Sequence, residues 1–294
     1  MRLRAGYPEI LTCTLAWGAI GSIVNQVTLP SSVIVLIRLI LGAIFVFTYI
    51  AARGRLSTLK PGARPALLVT AGVVLGVHWA TLFEAYQRIG VVTTILIVFV
   101  GPVLWAAASP LVGEPLHARV FVALGVAFAG IVLICIPDIE GMDGVGLAAA
   151  ITSAVLFAVL VLQGKVLTRH YEPAAIVAWQ LSIAALALSP ALLQMNGREV
   201  MRAAPALLVL GLVHSGFLGI LFFRAVRALD PQRLGVLFYL EPASAVFYAW
   251  LFLREEPALT TLIGGGLVLG AGIAIIVMDR DQAPPLTVAG ETAT

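Results

Sequence analysis

Ten stretches of about twenty mostly apolar residues follow one another through the chain with little between them. They run over 9–29, 32–52, 65–86, 91–112, 118–137, 144–166, 173–194, 205–226, 232–253 and 257–278. A helix needs about 20 such residues to cross roughly 30 Å of hydrocarbon. A soluble fold must keep a wet exterior, and this chain lacks the polar residues to build one. Of its 294 residues 61% are hydrophobic and 11% charged, against roughly 25% charged in a soluble domain. The sequence therefore predicts an all-α integral membrane protein of ten transmembrane helices.

Charge sets the expected orientation. With the N-terminus inside, 13 of the 18 Lys and Arg fall on inner segments and four on outer ones, while Arg38 lies within a span. Inner segments collect positive charge, so both termini are expected in the cytoplasm and the protein in the cell inner membrane. The acidic linker with Asp138, Glu140 and Asp143 falls outside. Arg2 and Arg4 precede the first run as they would in a signal peptide. That run is long, contains Trp17 and Asn25, and leads straight into another, so it reads as a first span. Residues 279–294, with Pro284 and Pro285, read as a disordered cytoplasmic tail. Cys13 and Cys135 sit in apolar runs, too few for a disulfide framework or metal site, and read as small buried hydrophobes. No basic stripe is present, which excludes nucleic acid as a partner. The expected partners are the lipid bilayer and a small solute, with no cofactor or metal, and a monomer is the expected state.

The chain also repeats itself. At a shift of 140, Leu82, Phe83 and Ala85 meet Phe222, Phe223 and Ala225, and Pro102 meets Pro242. After a two-residue slip, Glu114-Pro115 meets Glu256-Pro257, and Ala129-Gly130-Ile131 meets Ala271-Gly272-Ile273. Arg38 falls opposite Gln180. The halves are expected at 1–137 and 138–278. Each holds five spans, and five is odd, so the halves must be inverted relative to each other, a transporter device that frames a central cavity.

Leu15 to Gly18, Arg38, the run from Leu82 through Pro102 to Glu114-Pro115, Tyr239-Leu240-Glu241-Pro242, and Glu255-Glu256-Pro257 followed by Gly264-Gly265-Gly266 carry a family likeness. Over residues 8 to 279 the chain resembles the EamA-type transporters of the drug/metabolite transporter superfamily, and within them the YddG-like aromatic amino acid exporters. The resemblance implies a ten-helix exporter or permease of amino acids and other small metabolites. It also implies a structural role for Arg38, as partner to a helix end. One departure is Phe157-Ala158 in the sixth run, where the first has Trp17-Gly18.

Polar groups inside a membrane are costly and are functional candidates by default. His78 and Thr81 share a face of the third run; the imidazole either serves a cavity or bonds a neighbouring helix. Trp79 points elsewhere. His214 in the eighth run matches Val74 rather than His78, and a proton-carrying role is conceivable for either histidine. Glu241 precedes Pro242 and needs a partner, a proton, or backbone groups freed by the proline. Trp17, Gln163 and Tyr239 complete the expected substrate-binding set, with Gln180 and Asn25 as further amphipathic candidates. Pro102 and Pro242 should kink their runs and could act as hinges. Gly266 and Gly270 form a small-xxx-small pair suited to close helix contact. Trp105, Tyr248 and Trp250 read as interface aromatics.

Absences narrow the chemistry. There is no Walker A, His-Glu-x-x-His or Gly-x-Ser-x-Gly motif, and Gly264-Gly265-Gly266 does not follow a strand, so no enzyme reading is supported. No Lys/Arg clamp suits a phosphate-bearing solute. The sequence points to a secondary transporter of small amphipathic metabolites, most readily amino acids including aromatic ones, working by alternating access. The cavity should be lined by the first, third, fourth, sixth, eighth and ninth runs. A passive channel would need a continuous polar stripe, and an intramembrane enzyme a cluster of acids or nucleophiles.

Overall fold

The computed structural model describes residues 5–24, 26–135, 143–254 and 256–281, and within them every regular element is helical. Arg2, Arg4, Asn25, Asp138, Glu140, Glu255 and the chain after Asp281 lie outside the described residues.

Among the described residues six apolar helical segments are long enough to cross a membrane: Ser31–Ala52, Pro65–Ile89, Gly144–Leu167, Ala204–Ala228, Pro231–Phe252 and Leu259–Met278. Shorter apolar helices cover Thr93–Ala107, Ala118–Ile134 and Pro173–Ala187. The chain is a multi-pass membrane protein. In chain order the helices are α1 (Tyr7–Trp17), α2 (Ala19–Val24), α3 (Ser31–Ala52), α4 (Pro65–Ile89), α5 (Val91–Val98), α6 (Gly101–Ala107), α7 (Ala118–Cys135) and α8 (Gly144–Leu167). Then follow α9 (Pro173–Ala187), α10 (Gly197–Arg202), α11 (Ala204–Leu208), α12 (Leu218–Ala228), α13 (Pro231–Phe238), α14 (Leu240–Tyr248) and α15 (Leu259–Asp281). Helix α15 continues through Asp281, so the first residues of the expected tail are helical.

Local chemistry marks the ends. Pro65, Pro173 and Pro231 open their helices, where a missing N–H is harmless. Asp143 accepts the Gly146 N–H at 2.9 Å to start α8. That bond, with the Arg88 guanidinium nearby, holds the Asp143 carboxyl below its ordinary range. Gly90 turns the chain between α4 and α5 at φ 76°, a conformation that favours glycine.

The helices pair in a pattern that survives exchange of the two halves. Helix α4 packs along α8 and α9, and the counterpart segment Ala204–Ala228 packs along α1 and α3. Helices α5 and α6 lie on α8 as α13 and α14 lie on α1. The self-paired contacts are α3 with α9, α6 with α13 and α7 with α15.

The α7–α15 seam is drawn tight by Gly130 and Gly264. A Cβ on Gly130 would sit 2.6 Å from the Gly264 carbonyl oxygen, and one on Gly264 would collide with the Gly130 carbonyl. The glycines expected at a close contact, Gly266 and Gly270, face open space instead. Four residues of spacing marks one stripe of the helix, but packing used a neighbouring one. Gly264→Leu should therefore lower the unfolding temperature in detergent by several degrees, about 1–3 kcal/mol of overpacking. Gly266→Ala should leave it unchanged or raise it slightly, because alanine favours helix. Equal losses for the two variants would refute this assignment of the seam.

Candidate functional site

The fourth and ninth apolar runs both break just ahead of their prolines. Helix α5 ends at Val98 and α6 begins at Gly101, while α13 ends at Phe238 and α14 begins at Leu240. Proline has no N–H to give, so carbonyls are released in the preceding turn. Val103 N–H turns back to the Val100 carbonyl at 3.0 Å, leaving the Phe99 carbonyl outside the ladder. The Tyr239 hydroxyl donates to that carbonyl at 2.8 Å. Phe99 and Tyr239 are themselves mates at the 140-residue shift, and their rings lie 6.0 Å apart. The two breaks thus meet at the centre of the bundle.

Aromatic side chains fill that centre. Phe238, only 4% exposed, lies 5.2–6.2 Å from the rings of Trp17, Phe99, Trp105, Phe157 and Phe222. His78 stacks on Phe157 at 5.1 Å. The six runs expected to line a cavity supply this cluster. Trp105, expected at the membrane interface, is wholly buried and donates its indole N–H to the Pro231 carbonyl at 2.8 Å.

Polar groups ring the aromatic centre. Residues Val209–Phe217 form a π-helical segment, a widened turn frequent at functional sites. It holds His214, whose Nδ1 and Nε2 each lie 3.2 Å from a carbonyl, those of Val209 and Ala16. A neutral imidazole has one N–H and satisfies only one of these acceptors. The Trp17 indole donates to the His214 carbonyl at 3.0 Å, tying α1 to the π segment. Next to it, Ser215 accepts from Arg38 Nε at 3.0 Å. The Arg38 guanidinium lies 4.4 Å over the Trp79 ring. Trp79, expected to point away, is thus one face of this site.

Glu241 begins α14 beside α1, where the Ser244 hydroxyl donates to the Thr14 carbonyl at 2.9 Å. Its mate Gly101 packs against Ala154 and Phe157 of α8. In this half a carboxyl side chain occupies the equivalent place.

The other expected residues are placed differently. His78 Nδ1 lies 3.0 Å from both the Ser153 hydroxyl and the Ser153 carbonyl on α8, which joins it to a neighbouring helix. Thr81 gives its hydroxyl to its own helix, at Val77 and His78. Gln163 reaches Thr70 at 3.4 Å, away from the aromatic centre. Trp17, Tyr239 and His214 gather at the aromatic centre, with Arg38 beside them through Ser215; Thr81 and Gln163 do not.

A charged latch, which the sequence reading missed, closes one end of the bundle. Lys165, 7% exposed, lies 3.1 Å from Glu114 and donates to the Leu229 carbonyl at 2.7 Å. Arg169 lies 3.5 Å from the same carboxylate. Buried Gln232 accepts the His117 N–H at 2.8 Å and donates to Ser109. The ends of α6, α8 and α12 are thereby tied together. The other end is packed by apolar residues, Leu29, Val33, Ile34, Leu207 and Leu210. Glu256, the repeat mate of Glu114, is exposed there.

The family model described as "EamA-like transporter family" matches residues 4–136 and again 144–278. An "Uncharacterized transporter YxxF" of Bacillus subtilis (strain 168) is 24% identical over 290 residues, covering 96% of this chain and 92% of its own length. An "Uncharacterized transporter" of Archaeoglobus fulgidus is 25% identical over 274 residues, covering 93% and 96%. A solved structure described only as "Crystal structure of protein" superposes with a TM-score of 0.80 at 20% identity, over 94% of this chain and 98% of that one. It shares the fold.

The latch generates a directional prediction. Glu114→Gln strands a buried ammonium and should lower unfolding stability by about 1–3 kcal/mol. Lys165→Met should lower it less, since Glu114 keeps Arg169 and partial solvent. Thermal unfolding of the two purified variants checks the order, and the reverse order would contradict it.

Proposed function

The chain belongs to the EamA-like transporter family, and on that premise we propose that it is a secondary transporter of small amphipathic metabolites, foremost amino acids including aromatic ones. In this reading ten segments cross the inner membrane, both termini are cytoplasmic, and the two halves are inverted. The pairing that survives exchange of the halves supports it, as does the positive charge on the segments expected inside. No chemistry is performed on the solute.

One observation carries the reading: two matched helix breaks meet in an aromatic cluster, with a charged latch at one end and apolar packing at the other. Such a centre suits a ring or branched side chain. Parting the latch would open the cytoplasmic side, and parting the apolar end would open the other. The inverted halves exchange these conformations, which is alternating access. The breaks before Pro102 and Pro242 are the natural hinges, since backbone bonds are already missing there.

The purified protein in liposomes, offered labelled amino acids and sugars with and without a pH gradient, tests this. Saturable uptake of aromatic or branched amino acids is the expected result. Uptake that rises linearly with concentration would favour a passive facilitator, and uptake of sugars alone would exclude the amino acid reading. His78→Ala should change the transport rate with little loss of folding, because the imidazole stacks at the edge of the cluster. Wild-type rates would assign it to α4–α8 packing only.

A further inference from the structure

The cations at the latch end fall into two groups. Lys165, Arg169, Arg227 and Arg233 are bonded to the protein itself. The first two hold Glu114. Arg227 Nε donates to the Thr168 carbonyl at 3.0 Å and its Nη2 to the Tyr171 carbonyl, while Arg233 pairs with Asp230. Arg53, Arg55 and Arg224 are exposed and far less engaged. Among the described residues no group accepts from the Arg53 guanidinium, which lies 5.2 Å over the Tyr49 ring. Arg224 reaches the hydroxyl of the same tyrosine at 3.4 Å. Arg55 lies 3.9 Å from Glu172, beyond hydrogen-bond length.

These three arginines line one cavity of about 60 Å³ at the ends of α3, α9 and α12, with Ile50 and Ile220 among its apolar walls and Glu172 as its acid. At about 15 Å³ for each water-sized group there is room for about four, as many as the oxygens of a phosphate. Three guanidiniums against one carboxylate favour an anion, and the guanidinium fork fits phosphate oxygens in pairs. The surface leading to the cavity is apolar. The two rods are pressed together where a Cβ on Gly216 would sit 2.6 Å from the Phe45 ring. The cavity opens one turn further along α3, at Tyr49. Ile40, Ile44 and Phe47 are exposed on α3, and Val213 and Phe217 on the other rod. Phe217 lies seven residues before Arg224, two turns deeper on the same face. In a bilayer such side chains meet acyl chains. A ligand that fits both surfaces has an anionic group at one end and hydrocarbon at the other.

We propose that this cavity binds the phosphodiester headgroup of an anionic phospholipid such as phosphatidylglycerol, whose acyl chains lie along α3 and the Ala204–Ala228 rod. Arg53 and Arg224 take the phosphate oxygens around Tyr49, and Arg55 closes the rim. Basic pockets between membrane helices suit such headgroups. The bound lipid joins α3 of one half to α9 and α12 of the other, at the end that the latch closes. The site is independent of which solute is carried.

The test is native mass spectrometry of the full chain, titrated in detergent with phosphatidylglycerol or with phosphatidylcholine of the same acyl chains. Wild type should bind one phosphatidylglycerol about tenfold more tightly than phosphatidylcholine, or better. Arg53→Gln with Arg224→Gln should weaken phosphatidylglycerol about 30-fold and leave phosphatidylcholine as it was. Arg53→Lys with Arg224→Lys keeps the charge but not the forks, and should recover only part of that loss. Arg198→Gln with Arg202→Gln, exposed at the opposite end, should change neither lipid. Should the first pair misfold, Arg55→Gln decides, with a loss of about fivefold expected. Equal affinity of wild type for the two lipids would overturn the proposal, as would equal losses from the pairs at the two ends. Displacement of phosphatidylglycerol by inorganic phosphate at equal concentration would assign the cavity to a soluble anion and overturn the lipid site.

Discussion

Inside hydrocarbon a polar group has no water to turn to, so each one must be satisfied by the protein or by what the protein carries. This bundle contains few such groups, and their placement organises the rest. The Phe99 carbonyl, freed ahead of Pro102, is taken by the Tyr239 hydroxyl. The Trp17 indole is taken by the His214 carbonyl. Each bond reaches across helices, and together they gather α1, the π segment and both broken rods around one aromatic centre. The Arg38 guanidinium, bonded to Ser215 and stacked on Trp79, is held at its margin.

Duplication explains the symmetry, and departures from it explain the asymmetry. Phe99 and Tyr239 meet as mates, as do the breaks beside Pro102 and Pro242. Glu241, by contrast, stands where the other half has Gly101, and Trp17 stands where it has Phe157. Glu114 is locked to Lys165 and Arg169, while its mate Glu256 is exposed at an end packed by aliphatic side chains. The two ends are thus closed by different forces, ion pairs at one and apolar contact at the other.

Much of this was legible in the sequence because its signals are local. Twenty-residue apolar runs, prolines within them and a fixed repeat shift are read from neighbours along the chain. The family and the membrane setting followed, as did the positions of the helix breaks. Pairings across the bundle were not legible. Lys165 and Glu114 are 51 positions apart, and nothing local says that they meet. Trp105 and Trp79 read as peripheral because span ends and helix faces are uncertain by a turn. Gly264 rather than Gly266 made the tight contact, since the choice between stripes on one helix is settled by the partner. The aromatic centre had one overlooked signal: aromatics at matched repeat positions, Trp17 with Phe157 and Phe99 with Tyr239.

In the proposed transport cycle the two ends of this bundle open in alternation. Pulsed EPR on doubly spin-labelled protein in nanodiscs measures it most directly. One label pair would span the latch end, at exposed Leu116 and Glu172; the other would span the apolar end, at exposed Leu208 and Phe252. On adding a transported amino acid, the account predicts that one distance lengthens as the other shortens. Both distances lengthening together would indicate an open pore, and both staying fixed during saturable transport would contradict alternation.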